Sequence, residues 1–184
     1  MTIARTQDID VLTICQLLRP EQEHWLGNHY RLTRADRDAV PDEIAARARA
    51  LITSGLDGAP AALIDRMPRL EIIAVNSVGY DLVAMDRALA RRIPVTHTPD
   101  VLTDDVADLA IGLMIMTSRR LAAADRFVRA GRWAAAKFPV AGKVSGKKLG
   151  ILGLGRIGRA IAGRAEGFGM EILYTDCAEL ESAY

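Results

Sequence analysis

Residues 148–176 read KLGILGLGRIGRAIAGRAEGFGMEILYTD. The apolar run 149–152 is bounded by glycine and predicts a short, buried parallel strand. Gly153, Gly155 and Gly158 follow it in the spacing G-x-G-x-x-G. In that spacing the first glycine allows a tight turn, the second lets the backbone approach a pyrophosphate, and the third lets helix and strand pack closely.

A helix and a second strand are predicted after the glycines. Ile157, Ile161, Ala165 and Phe168 recur at helical spacing and form one apolar face. The run 171–175 predicts the second strand, and an acid follows it. Free N–H groups at a helix start, together with the positive end of the helix dipole, attract phosphate. The stretch therefore predicts a dinucleotide site formed by Gly153, Leu154, Gly155, Arg156, Ile157, Gly158 and Asp176.

Asp176 decides which dinucleotide is expected. It lies eighteen positions after Gly158, close to the distance expected of an acid that binds a ribose 2′-hydroxyl. Its carboxylate favours NAD, because it would repel the 2′-phosphate of NADP. Arg156 and Arg159 lie near the phosphate site and leave NADP possible. The alternatives are a glycine turn in an ordinary strand–helix–strand unit and a solvated acid at a strand end.

Composition excludes several classes of function. The net charge is +1, and the charged residues are spread along the chain without a basic block. This argues against nucleic acid as a partner. Cys15 and Cys177 fit neither a disulfide framework nor a zinc site and indicate a reducing, cytoplasmic setting. No metal-binding or acyl-transfer motif occurs, so no metal is expected. The apolar run 109–116 is too short to span a bilayer, so a soluble protein without a membrane partner is expected.

The first half of the chain alternates strands with helices and predicts an α/β fold with an open parallel sheet. Strands are expected at 10–14, 30–32, 50–53, 70–75 and 94–96, and helices at 20–26, from Pro41, at 61–66 and at 82–91.

Two glycine-containing loops, 54–58 and 76–81, follow predicted strands, where parallel sheets bind ligands. Val78 and Gly79 could present consecutive N–H groups to an anion. The alternative is a plain turn with Asp81 as a helix N-cap.

The sequence changes character after Pro99. Thr103 is expected to cap a helix whose residues 106–116 are apolar on nearly every side, so that helix should be buried in a core or between subunits. A second helix is predicted at 121–129 and a loop at 134–144. We therefore expect a boundary at 97–100, with domains 1–98 and 99–184. His97 is a lone histidine at a strand end and is expected to be solvated or hydrogen-bonded rather than a proton donor. Trp133 is expected to pack rather than to contact a ligand.

Several stretches match a known family in order and spacing over residues 50–176. They are SVGYD at 77–81, TPDVLTD at 98–104, VAD at 106–108, GRW at 131–133, GLGRIG at 153–158 and FG at 168–169. The chain resembles the D-2-hydroxyacid dehydrogenase family, and within it the glyoxylate/hydroxypyruvate reductase group. Formate dehydrogenases share the fold, but their substrate-loop sequence differs from 77–81.

The resemblance implies a flavodoxin-like parallel-sheet substrate domain followed by the first part of a Rossmann dinucleotide-binding domain. It also implies NAD(P)H-dependent reduction of small 2-keto acids to D-2-hydroxy acids. Val78 and Gly79 would donate N–H groups to the substrate carboxylate, and Leu56 would line the same pocket. Thr103 would lie near the nicotinamide. The cofactor would extend along Gly155, Arg156, Ile157 and Asp176.

The resemblance implies a homodimer formed by the helix from Thr103 and the arm around Trp133. Ala136 departs from the family, because relatives can carry a bulky aromatic there, and this puts a substrate contact in trans in doubt. The family's catalytic arginine, glutamate and histidine are expected beyond Tyr184, so the 184-residue chain is expected to be inactive alone. The alternatives are a dinucleotide-sensing module similar to co-repressors and an inactive fragment.

Overall fold

A computed structural model describes residues 8–177 of the chain. The chain divides into two compact units between Pro99 and Asp100. The first unit contains a five-stranded sheet in which every neighbouring pair of strands is parallel and the strand order is β2-β1-β3-β4-β5. Its strands are β1 (Asp10–Thr13), β2 (Arg31–Arg34), β3 (Ala50–Thr53), β4 (Ile72–Val75) and β5 (Val95–Thr96). This is the flavodoxin-like strand order, and it confirms the predicted α/β class.

Short helices connect these strands. They are α1 (Pro20–His29), α2 (Asp42–Arg47), α3 (Ala61–Asp65) and α4 (Met85–Ala90). Alternate residues of the central strands form the core, because successive side chains of a strand point to opposite faces of the sheet. Leu12, Leu51 and Ile73 are completely buried on one face, where Ile64 and Met67 belong to the same core. This packed core therefore fixes the positions of the carboxyl ends of β1, β3 and β4.

The second unit contains the glycine motif. Its elements are α5 (Thr103–Ser118), α6 (Leu121–Arg129), β6 (Lys148–Leu152), α7 (Arg156–Glu166) and β7 (Glu171–Thr175). β6 and β7 are parallel neighbours, with Leu149 opposite Ile172. Ile151, Leu154 and Ala162 form a small buried cluster between this sheet and α7. The predicted order of strand, glycine turn, helix and strand is confirmed.

The predicted helix cap at Thr103 is wrong, and so is the alternative in which Asp81 caps a helix. The N-cap position of α5 is Leu102, because its carbonyl already accepts the first helical hydrogen bond, from Val106, and Thr103 makes no cap. Helix α4 begins at Met85 rather than at 82, and Asp81 does not cap it. Residue 83 forms a parallel bridge with Ala59, and Ala84 N donates to the Ala59 carbonyl, so this stretch is held extended and the helix starts after it.

Helix α5 is less buried than its composition predicts. Only Ala107 is fully buried, and one side of the helix packs on α7. Val106, Leu109, Leu113 and Met116 are 39–62% exposed. The described residues therefore do not bury this helix in a core, and burial between subunits stays a prediction. Within residues 8–177 no helix combines the length and the apolar character needed to cross a bilayer.

Candidate functional site

The two glycine loops of the first unit lie against each other. Gly55 N donates a hydrogen bond to Ser77 Oγ at 2.7 Å. A Cβ atom at Gly55 would lie 2.6 Å from the carbonyl oxygen of Gly79, so only glycine fits between the loops. Parallel strands end at the same edge of the sheet, and this brings loop 54–58 next to loop 76–81.

The peptide groups of loop 76–81 have a consistent orientation. The Ser77 carbonyl accepts from Thr98 N at 3.0 Å, the Val78 carbonyl from His97 Nδ1 at 2.9 Å, and the Gly79 carbonyl from Ser77 Oγ at 2.9 Å. Among residues 8–177, by contrast, no acceptor is found for the N–H groups of Val78 and Gly79. Two consecutive N–H groups of this kind form a cradle that suits an anion such as a carboxylate.

Loop 54–58 is held by its own side chains. Ser54 Oγ accepts from the N–H groups of Leu56 and Asp57 at 3.2 and 3.1 Å and donates to Asp57 Oδ2 at 2.5 Å. The same carboxylate oxygen accepts from Gln16 N at 3.2 Å, in the loop after β1. Leu56 is left 75% exposed at the tip of this rigid loop. It is the predicted apolar contact of the first unit.

The three glycines of the second unit occupy different environments. Gly153 has φ +90°, a left-handed conformation that glycine adopts without steric cost. A Cβ atom at Gly158 would overlap the Gly153 carbonyl and lie 3.3 Å from Ile151 Cγ2, which confirms that this glycine permits close packing of helix and strand. The Cβ position of Gly155 has no atom within 4 Å. Open space therefore lies where the motif places a pyrophosphate.

The start of α7 offers donors to that open space. The N–H groups of Gly155, Arg156 and Ile157 find no acceptor within the described part of the chain, as expected for the first turn of a helix. These groups and the positive end of the helix dipole suit a phosphate. The residues present therefore fit the diphosphate of a dinucleotide.

Asp176 lies beside the glycine turn. Its Oδ2 atom accepts from Leu154 N at 2.6 Å, and Gly153 N donates to the Thr175 carbonyl at 2.8 Å. The end of β7 is thus joined to the turn by two hydrogen bonds. The motif spacing predicted an acid at this place. A contact of its carboxylate with a ribose stays a prediction.

Thr103 and Arg156 are linked through Asp100. Arg156 Nε lies 2.8 Å from Asp100 Oδ1, and Thr103 N donates to the Asp100 carbonyl at 3.3 Å. Asp100 itself has φ +69°, which is uncommon for a residue other than glycine. Asp100 belongs to the matching stretch 98–104, but sequence reasoning gave it no role, because its spacing from the glycine motif carries no signal.

Arg164 fixes α7 to α5. Its guanidinium donates to Asp108 at 2.5 Å and to Asp104 at 2.9 Å. These hydrogen bonds raise the pKa of Arg164 above its ordinary value. Within the described residues no group of three histidine, cysteine, aspartate or glutamate side chains is placed to hold a metal ion.

Comparison with known proteins identifies the family. The family model described as D-isomer specific 2-hydroxyacid dehydrogenase, NAD binding domain, matches residues 111–183. A glyoxylate/hydroxypyruvate reductase A from Arabidopsis thaliana is 51% identical over 172 residues, which cover 91% of this chain and 55% of that protein. The chain belongs to the D-2-hydroxyacid dehydrogenase family.

Other members of the D-2-hydroxyacid dehydrogenase family support the same assignment. A hydroxyphenylpyruvate reductase from Plectranthus scutellarioides is 45% identical over 90% of this chain and 54% of its own length. The structure of the NADPH-dependent glyoxylate/hydroxypyruvate reductase from Sinorhizobium meliloti, solved with NADP and malonate, gives a TM-score of 0.85 at 38% identity. That match covers 96% of this chain and 56% of the other. The chain spans about half the length of the curated relatives it matches.

Proposed function

We propose that the full-length protein reduces small 2-keto acids, of the glyoxylate or hydroxypyruvate type, to D-2-hydroxy acids with NAD(P)H. The observation that carries the proposal is the orientation of loop 76–81, in which the carbonyls of Ser77, Val78 and Gly79 are engaged while the N–H groups of Val78 and Gly79 are left for an anion. Relatives named for glyoxylate, hydroxyphenylpyruvate and 2-ketogluconate act on compounds that share a keto carboxylate.

Each part of the chain has a role in this proposal. Val78 and Gly79 bind the substrate carboxylate, and Leu56 contacts the rest of the molecule. The first turn of α7 binds the diphosphate, Thr103 lies toward the nicotinamide, and Asp176 binds the ribose. The nicotinamide cofactor, when bound, supplies the hydride.

The proton donor is not assigned among the described residues. Reduction of a ketone needs an acid tuned to the working pH. His97 engages its Nδ1 atom with the Val78 carbonyl, so it has a structural partner in the loop itself.

We propose NAD as the preferred cofactor, because the carboxylate of Asp176 disfavours a 2′-phosphate. NADP stays possible, since a similar structure was solved with it. We also propose a homodimer through α5 and the arm around Trp133, which is 68% exposed. The free thiols of Cys15 and Cys177 support a reducing, cytoplasmic setting.

The test is oxidation of NADH and NADPH by the purified full-length protein with a panel of 2-keto acids. We expect turnover with glyoxylate or hydroxypyruvate and none with a simple ketone of similar size that lacks the carboxylate. Absence of turnover with every 2-keto acid would contradict the proposal. Tight binding of NADH without turnover would favour the dinucleotide-sensing alternative instead.

A further inference from the structure

Loop 76–81 is held in place from one side by Ser77. Its hydroxyl accepts from Gly55 N at 2.7 Å and donates to the Gly79 carbonyl at 2.9 Å. A hydroxyl group has one proton to donate and lone pairs to accept with, and both functions are used here. The side chain therefore joins the loop after β4 to the loop after β3.

His97 holds the loop from the other side. It lies just after β5, is partly buried, and packs edge-on against Tyr80 with ring centroids 5.0 Å apart. Its Nδ1 atom lies 2.9 Å from the Val78 carbonyl oxygen. A carbonyl oxygen can only accept a hydrogen bond, so the Nδ1 atom carries the proton.

These carbonyl contacts determine where the neighbouring N–H groups point. The N–H of a residue and the carbonyl of the residue before it belong to one planar trans peptide and point in opposite directions. The contact of His97 with the Val78 carbonyl therefore directs the Gly79 N–H. The contact of Thr98 N with the Ser77 carbonyl directs the Val78 N–H in the same way.

We propose that His97 and Ser77 are positioning residues for the substrate carboxylate. His97 aims the Gly79 N–H, and Ser77 prevents the loop from moving away from loop 54–58. Neither side chain needs to contact the keto acid. This inference rests on the proposed function, because it assigns the two residues to the carboxylate cradle of that reaction.

The test compares steady-state kinetics of full-length variants. Losing a hydrogen bond that orients a donor should raise the KM for the keto acid about tenfold in His97→Leu and in Ser77→Ala. The KM for NAD(P)H should not change, since the cofactor residues lie in the second unit. His97→Asn should keep the keto-acid KM closer to that of the wild type than His97→Leu does, because the Asn amide can donate from nearly the position of Nδ1.

Thr33→Val serves as a control, because it removes a hydroxyl from the edge strand β2. It should leave both KM values unchanged, and thermal melts of all variants should show that they are folded. Unchanged keto-acid KM values in His97→Leu and Ser77→Ala, with an active wild type, would overturn the positioning role alone. An equal increase in the KM for the keto acid and the KM for NAD(P)H would also overturn the positioning role. A wild type that reduces no 2-keto acid would instead contradict the proposed function.

Discussion

At the residue scale, the three glycines of the motif are glycine for three different reasons. Gly153 adopts a positive φ, and Gly158 has no room for a Cβ atom. Gly155 has neither constraint, since its φ is −71° and its surroundings are open. A position with no structural need for glycine, beside unpaired helix N–H groups, is explained by the close approach of a ligand.

Replacing Gly158 tests this packing. Gly158→Ala places a methyl group against the Gly153 carbonyl and Ile151, so the turn must move. We expect a lower Tm and an affinity for NADH at least about tenfold weaker, because the N–H groups at the start of α7 are displaced. Cofactor fluorescence titration and thermal melts measure the two effects.

The matched control lies on the same helix. Gly163 has no atom within 4 Å of its Cβ position. Gly163→Ala should leave NADH affinity unchanged and raise the Tm slightly, since alanine favours a helix interior. Equal Tm values and equal NADH affinities in the two variants would show that the close contact at Gly158 affects neither stability nor cofactor binding.

Asp176 gives a test of cofactor choice. Asp176→Ala removes both the negative charge and the acceptor of Leu154 N. We expect the ratio of kcat/KM for NADH to kcat/KM for NADPH to fall about tenfold, because a charged hydrogen-bond acceptor is lost. Asp176→Asn keeps an acceptor without the charge and separates the two effects. An unchanged ratio in both variants would mean that the carboxylate does not select the cofactor.

At the element scale, the amino ends of β3 and β4 are joined by an ion pair. Arg49 Nε and Nη2 each lie 2.8 Å from one oxygen of Glu71, and Glu71 N donates to the Arg49 carbonyl. The guanidinium hydrogen bond holds the pKa of the Glu71 carboxyl below its ordinary value of 4.5. Both side chains reach solvent, so the pair stabilises the sheet only modestly.

The lowered pKa of Glu71 determines how the stabilisation by the Arg49–Glu71 ion pair depends on pH. Stabilisation by the pair is present above pH 4.5 and is lost as the pH falls through the lowered pKa. Glu71→Gln should lower the Tm by about 1–3 °C at pH 7, and the difference should vanish in acid. Thermal melts over a pH series measure it.

Arg49→Met provides the background for a control. In that variant, Glu71→Gln should have no pH-dependent effect, because the partner is already absent. A Tm difference that persists at acid pH, or that survives in the Arg49→Met background, would mean that the ion pair is not its cause.

At the scale of the whole molecule, the exposed stripe on α5 predicts self-association. Val106, Leu109, Leu113 and Met116 recur every three or four residues and so share one face of the helix. Exposed apolar patches of this kind mark interaction sites. We expect Leu109→Glu to convert a dimer to a monomer in light scattering, because it places a charge in the apolar contact.

Leu89→Glu is the control for that change. Leu89 is 68% exposed on α4, outside the proposed contact, so its replacement should leave the dimer intact. A wild-type protein that is monomeric at every concentration would contradict the dimer proposal. Dissociation of both variants would show that added charge alone is responsible.

The amino-acid sequence by itself determined the order of elements and the glycine turn. Strands such as 50–53 and 171–175 lie where apolar runs predict them, and Gly153 takes the positive φ that its place in the motif requires. Such features depend on periodicity and backbone freedom, which are local properties of the chain.

Only the tertiary structure decided which groups meet. The contacts of His97 with Val78, Ser77 with Gly55, Arg156 with Asp100 and Asp176 with Leu154 all join residues separated along the chain. The late start of α4 likewise follows from the pairing of Ala59 with Val83. Most of these contacts exist because parallel strands bring distant loops to one edge of a sheet, whereas Arg156 and Asp100 meet because α7 packs on α5. No local pattern records which side chains then come within hydrogen-bonding distance.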